Sequence, residues 1–217
     1  MILILTGRSG SGKTAIAKEL VENHGYEKAV ICTTSELREG EVLDRDYRFL
    51  TQEQFLNHVL ANDFVEWNMY GGDLYGMLNS SLETDARLVC ILTPEGADAV
   101  KGKFPDAFIV YVDPGMKTAV IRMLSREKEL TPGMLRKIYI RALQDHYLFD
   151  HPYCDLRVEN GSGSVIEDTA RHIAEAHAAY PYIPDGMKEL RDVLREGLEA
   201  LETFKKKGGG GICIKKG

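Results

Sequence analysis

The sequence predicts an α/β fold: a parallel sheet with flanking helices, interrupted by one inserted segment. Three observations predict it. Residues 1–6, containing Ile2-Leu-Ile-Leu5, form a continuous apolar run, the pattern of a strand buried on both faces. That run leads directly into Gly7-Arg8-Ser9-Gly10-Ser11-Gly12-Lys13-Thr14, the G-x-x-x-x-G-K-T pattern of a P-loop between strand and helix. Farther along, strand-like and helix-like stretches alternate over 87–93, 95–103, 107–112, 115–126, 132–150, 155–158 and 164–178. Such alternation is the rhythm of parallel strands joined by crossover helices.

The first strand and loop carry the clearest chemistry. Glycines let the backbone approach a β-phosphate and turn its N–H groups inward, Lys13 sets an ammonium between the β- and γ-phosphates, and the Thr14 hydroxyl suits Mg²⁺. Gly7, Arg8, Ser9, Gly10, Ser11, Gly12, Lys13 and Thr14 are therefore the expected triphosphate-binding residues, with Thr14 the expected metal ligand. Gly25 ends the helix after the loop, and a short strand is expected around 29–32.

Residues 33–82 break the rhythm with turn residues and alternating patterns, and read as an insertion. Within it, Thr51 and Gln54 form a capping box while Leu50 and Phe55 form a hydrophobic staple, which fixes a helix start at Thr51. Residues 46–49 and 64–67 read as short strands. The core is thus expected over 1–32 and 83–180. In it, Asp113 follows an apolar strand but precedes Pro114-Gly115, which reads as the start of a turn more readily than as a metal carboxylate. Thr131-Pro132 supplies an N-cap and a first-turn proline, leaving a charged connection that makes residues 125–135 a candidate lid. Residues 184–207 carry an apolar stripe, from Met187 to Phe204, that predicts a last amphipathic helix suited to docking on the core or to a dimer contact. The glycine-rich residues 208–217 read as a flexible tail.

Composition narrows the function classes. With 217 residues, 44% of them apolar, one substantial core is expected. A net charge of -6 argues against a nucleic-acid surface, which requires a basic face. No apolar run reaches bilayer length, and the opening apolar run is too short and lacks the basic leader of a signal peptide. Cys32, Cys90, Cys154 and Cys213 are widely spaced, fitting neither a zinc site nor a disulfide framework. A cytoplasmic protein, monomeric or homodimeric, is the expectation.

From Thr33 to Gly76 the chain resembles guanylate kinases. The residues that carry the resemblance are Thr33-Thr34, Arg38, Gly40-Glu41, Asp46-Tyr47-x-Phe49, the helix from Thr51, Phe64-Val-Glu66-Trp67 and Tyr75-Gly76. With the P-loop and Lys103-Phe-Pro-Asp106, the similarity spans residues 2–178 in unbroken order. It implies a P-loop core with a nucleoside-monophosphate-binding insertion and an arginine-bearing lid, using ATP and Mg²⁺ to phosphorylate GMP or dGMP. By the same resemblance, Arg38, Tyr47 and Tyr75 hold the acceptor phosphate, Glu66 accepts from guanine, and Arg126 and Arg141 close over the phosphates beside Lys13. Arg136 is as readily an exposed helix residue.

The resemblance breaks at specific positions. Ser35 stands where the family has the first arginine of a T-T-R-x-x-R stretch, Ile31 and Met77 stand near positions where it has small hydroxyl residues, and Thr93 stands where its strand ends in aspartates. Two further readings therefore stay open: a P-loop kinase for another nucleotide or small phosphorylated acceptor, and a binding module with weakened catalysis.

Overall fold

The computed structural model describes residues 1–37, 47–70, 72–127, 129–149 and 152–180. Arg38, Glu41, Asp46, Cys213, the expected helix at 184–207 and the expected tail lie outside the described residues. In chain order the elements are β1 (Ile2–Thr6), α1 (Lys13–Asn23), β2 (Glu27–Lys28), β3 (Ile31–Thr33), β4 (Tyr47–Phe49), α2 (Gln52–Leu60), β5 (Phe64–Tyr70), β6 (Asp73–Leu78) and, after a 3₁₀ turn, β7 (Leu88–Ile91). There follow α3 (Pro94–Lys103), β8 (Phe108–Asp113), α4 (Met116–Ser125), α5 (Pro132–Leu148), β9 (Leu156–Glu159) and α6 (Ile166–Ala179).

Five strands pair in parallel in the order β2-β7-β1-β8-β9, with β1 at the centre. Every residue of β1 is buried. Its side chains alternate between two cores: Leu3 and Leu5 join Ile16 and Leu20 of α1 and Ile173 of α6, while Ile2 and Ile4 join Ala97 and Val100 of α3. Each Leu, Ile or Val among these contributes about 1.5–3 kcal/mol when fully buried. Both faces are covered, and the loop after β1 emerges at the carboxyl edge of the strands, where open α/β sheets bind ligands.

A second sheet, ordered β4-β3-β6-β5, is built from the expected insertion together with Ile31 and Cys32, which the sequence reading placed in the core. Helix α2 starts at Thr51 as the sequence predicts: the Thr51 hydroxyl accepts the Gln54 N–H at 3.1 Å, and Gln54 Oε1 accepts the Thr51 N–H at 2.8 Å. Phe55 from α2 stacks on Phe64, and Leu50 packs on the same cluster. The pairing of β5 with β6 is irregular between Phe64 and Glu66. Because of this bulge, Phe64 points to the α2 side, whereas Glu66, two residues on, joins the opposite face.

Two local expectations are revised. The strand expected around 29–32 is divided, since Glu27–Lys28 pairs in the first sheet and Ile31–Thr33 in the second. The strand expected to end at Trp67 runs to Tyr70 and turns back as β6, which the sequence reading did not assign. Asp113 closes β8 as a turn residue: its carboxylate accepts the Gly115 N–H at 2.9 Å and pairs with Arg157.

Candidate active site

The glycine loop is shaped by positive backbone angles that only glycine adopts without strain. Gly10 and Gly12 have φ of 78° and 93°. Space is equally restrictive, because a Cβ on Gly10 would lie 2.5 Å from the Ala119 carbonyl oxygen, and one on Gly12 would lie 2.3 Å from Asn160 Nδ2. Lys13 folds back under the loop, donating to the carbonyls of Gly7 at 2.6 Å and Arg8 at 2.9 Å and to Ser11 Oγ at 3.1 Å. Burial pulls its ammonium down to about 8; Asp145 opposes that shift, while Arg126 and Arg141 add to it. The Thr14 side chain stands exposed in the first turn of α1.

Residues distant in sequence hold this loop in place. Asn160 Nδ2 donates to the Ser11 carbonyl at 2.7 Å. Arg122 bridges three carbonyls, those of Gly10, Asn160 and Gly161, at 3.3, 2.9 and 2.8 Å. From α5, Arg141 Nε donates to Ser9 Oγ at 3.0 Å, and the buried Asp145 carboxylate accepts the Ser9 N–H at 2.7 Å. The sequence reading named Arg141 but missed Arg122, Asp145 and Asn160. The one local signal was the spacing of Arg141 and Asp145, a single helical turn apart.

Arg126 caps the end of α4, exposed, and lines a cleft of about 930 Å³ together with Arg141, Lys137, Asp73 and Tyr75. The N-cap of α5 is Thr131, whose hydroxyl accepts the Met134 N–H at 3.2 Å. Arg136 is exposed.

A second cavity, of about 220 Å³, joins the loop to the second sheet. Gly7, Ser9, Lys13 and Thr14 line one side, and Tyr47, Glu66, Asn68 and Tyr75 another, with Thr93 and Arg141 between. Strand register explains the grouping: Ile31 pairs with Tyr47, Thr33 with Tyr75, Asn68 with Tyr75 and Glu66 with Met77, so these side chains share one sheet face. The two tyrosines meet edge to face, 6.2 Å between ring centroids, and Lys28 lies over the Tyr47 ring. Only 9% of Glu66 is exposed, and burial pushes its carboxyl up to about 7. Gly96 in the first turn of α3 makes room for that carboxyl, since a Cβ there would lie 2.9 Å from Glu66 Oε2.

The departures noted in the sequence take physical form here. Met77 is fully buried and packs with Ile31 and Cys90 beneath the cavity. The Thr93 hydroxyl caps α3, accepting the Gly96 N–H at 3.2 Å, and also accepts Asn68 Nδ2 at 3.0 Å. Ser35 turns its N–H back to Thr33 Oγ1 at 3.1 Å. Among the described residues no three acidic, histidine or cysteine side chains gather into a metal cluster. Cys32 and Cys90 are buried and Cys154 is half-buried, with no disulfide joining them, and no described helix is long and apolar enough to cross a membrane.

Comparison with known proteins agrees with this layout. The family model described as guanylate kinase matches residues 1–180. The guanylate kinase of Gloeobacter violaceus is 34% identical over 159 residues, covering 69% of this chain and 77% of that protein. That of Symbiobacterium thermophilum is 28% identical over 214 residues, covering 96% and 94%. The solved guanylate kinase of Anaplasma phagocytophilum shares the fold, with a TM-score of 0.63 at 22% identity over 88% of this chain and 92% of that one. The glycine loop, both sheets and α6 all fall within the matched span, and the chain belongs to the guanylate kinase family.

Proposed function

We propose that this protein is an ATP-dependent nucleoside monophosphate kinase that phosphorylates GMP or dGMP, giving GDP or dGDP plus ADP. The observation that carries the reading is the cavity in which Lys13 and the glycine loop share walls with Glu66, Tyr47 and Tyr75. Such a cavity seats a triphosphate end and a monophosphate nucleotide against each other.

In the transfer, an oxygen of the acceptor phosphate bonds to the γ-phosphorus as the bond to the β–γ bridging oxygen breaks, its electron pair leaving with ADP. A loose, in-line transfer of this kind depends on positioning and charge neutralisation rather than on a strong base. The loop amides and Lys13 hold the β- and γ-phosphates; Arg141, beside Ser9, and Arg126, at the cleft, neutralise the transferring group. Tyr47 and Tyr75, with Arg38, orient the acceptor phosphate. Glu66, when ionised, accepts from the guanine N1–H and 2-amino hydrogens. Mg²⁺ fits the exposed Thr14 hydroxyl as an ion carried in with the nucleotide phosphates and water, a donor set that needs no carboxylate cluster. When bound, it neutralises charge on the β- and γ-oxygens. The setting that suits this chemistry is the cytoplasm, with small nucleotides as partners and the protein as monomer or homodimer.

The test is ADP release from Mg·ATP in the presence of a panel of nucleoside monophosphates. GMP and dGMP are expected to stimulate release well above the acceptor-free rate, and Lys13→Ala to abolish it. Stimulation by a different acceptor alone would establish a kinase of other specificity, the reading favoured by the Ile31–Met77 floor and by Ser35. No stimulation by any acceptor would overturn both.

A further inference from the structure

The acceptor cavity contains a polar group that the proposed reaction has not yet used. Asn68 lies two residues beyond Glu66 on β5, on the same sheet face, and lines the same cavity. Its Nδ2 donates to Thr93 Oγ1 at 3.0 Å, and Thr93 is itself fixed by capping α3. The carboxamide is thereby oriented, and its Oδ1 is buried with no hydrogen-bond partner among the described residues. An acceptor buried in this way is destabilising until a donor reaches it.

Donor and acceptor numbers now match. The Watson–Crick edge of guanine presents three N–H hydrogens, one at N1 and two on the 2-amino group. A carboxylate bonding edge-on through its two oxygens takes two of them. The outer amino hydrogen requires a separate acceptor beside the carboxylate. We propose that Asn68 is a specificity-determining residue of the acceptor site, accepting through Oδ1 the guanine 2-amino hydrogen that Glu66 leaves free. This inference rests on the guanine-nucleotide reading above.

The chemistry distinguishes close analogues. Hypoxanthine keeps N1–H and O6 but lacks the 2-amino group, so it satisfies Glu66 in part and leaves Asn68 Oδ1 unpaired. Adenine directs a lone pair at N1 toward the carboxylate, which disfavours it regardless of Asn68. GMP against IMP therefore isolates the contribution of Asn68.

The experiment measures kcat/KM for GMP and for IMP at saturating Mg·ATP, with wild type, Asn68→Ala and Asn68→Asp. Asn68→Ala is expected to lower the GMP:IMP ratio about tenfold, while Asn68→Asp, which retains an acceptor at that position, holds it within about threefold of wild type. An unchanged ratio in Asn68→Ala overturns the proposal. So does an equal loss in Asn68→Asp, which would mean that the carboxamide donates instead of accepting. Wild type failing to use GMP defeats the functional reading itself, a different result from wild type using GMP with a ratio insensitive to Asn68. Thermal melting and ATP binding report folding of each variant, and Asn68→Val, which also lacks an acceptor, provides the same comparison should the alanine variant not fold.

Discussion

Asp145 accepts the backbone N–H of Ser9 at 2.7 Å across 136 residues of sequence. The contact ties α5 to the triphosphate loop and places a buried negative charge near Lys13. Asp145→Ala leaves the Ser9 amide without its partner and Lys13 without an opposing charge. The expected result is a fall in kcat/KM for ATP of about 10- to 100-fold, with a milder fall for Asp145→Asn, which still offers an acceptor. Steady-state kinetics with ATP varied checks this, and an alanine variant indistinguishable from wild type would refute it.

Under the proposed function, Glu66 is expected to make acceptor binding dependent on pH. Burial lifts its carboxyl from the ordinary 4.5 to about 7, so the ionised form that accepts two donors grows in as pH rises through 7. KM for GMP is expected to fall between about pH 6 and pH 8 and to lose this trend in Glu66→Gln. Stability runs the other way. A folded-state pKa above the unfolded value contributes stability that is fully present below about 4.5 and lost as pH rises through 7. Glu66→Gln is therefore expected to melt higher than wild type above pH 7 while binding GMP more weakly.

Gly96 separates the two halves of the site. A methyl group at this position would sit 2.9 Å from Glu66 Oε2 and 3.1 Å from its Cδ, displacing the carboxyl without touching the glycine loop. Gly96→Ala is expected to raise KM for GMP about fivefold or more and to leave KM for ATP within about twofold. Equal effects on both substrates would contradict this separation.

His177 gives the core an acid-sensitive point. It is fully buried between Tyr26 and Phe108, with Nδ1 2.8 Å from the Tyr26 hydroxyl, and burial depresses its pKa from 6.5 to about 4. A depressed folded-state value means stability present above 6.5 and lost as pH falls toward 4, by on the order of 3 kcal/mol. Urea denaturation at several pH values is expected to show this loss in wild type and a flatter profile over the same range in His177→Phe.

What could be read from the sequence was what is decided locally. The strand-loop-helix around Lys13, the capping box at Thr51 and the turn role of Asp113 each depend on neighbours within a few residues, and each is seen in the structure. Strand β6 escaped notice because Gly76 reads as a strand breaker. In the structure glycine is required there, since a Cβ would meet the Phe55 and Phe64 rings at 2.9–3.0 Å. Tyr47, Glu66 and Tyr75 were found through resemblance, and register then brings them to one face. Arg122 and Asn160 were invisible, and Asp145 was marked only by its one-turn spacing from Arg141, because their partners on the glycine loop lie more than a hundred residues away in sequence.

The irregular pairing between Phe64 and Glu66 makes β5 a strand whose two ends obey different parities. Before it, Phe64 belongs to the structural core under α2; after it, Glu66 and Asn68 line the cavity beside the glycine loop. Under the proposed function, recognition thus depends on the count of residues between Phe64 and Glu66 as well as on their identity. Regular pairing with Val65 kept would bring Glu66 to the face of Phe64 and drive a carboxylate into the aromatic cluster, whereas removing Val65 would leave Phe64 and Glu66 adjacent and on opposite faces, paired with Leu78 and Met77 as they are now. The extra residue and the bulge that absorbs it are therefore coupled, and neither can be lost without the other.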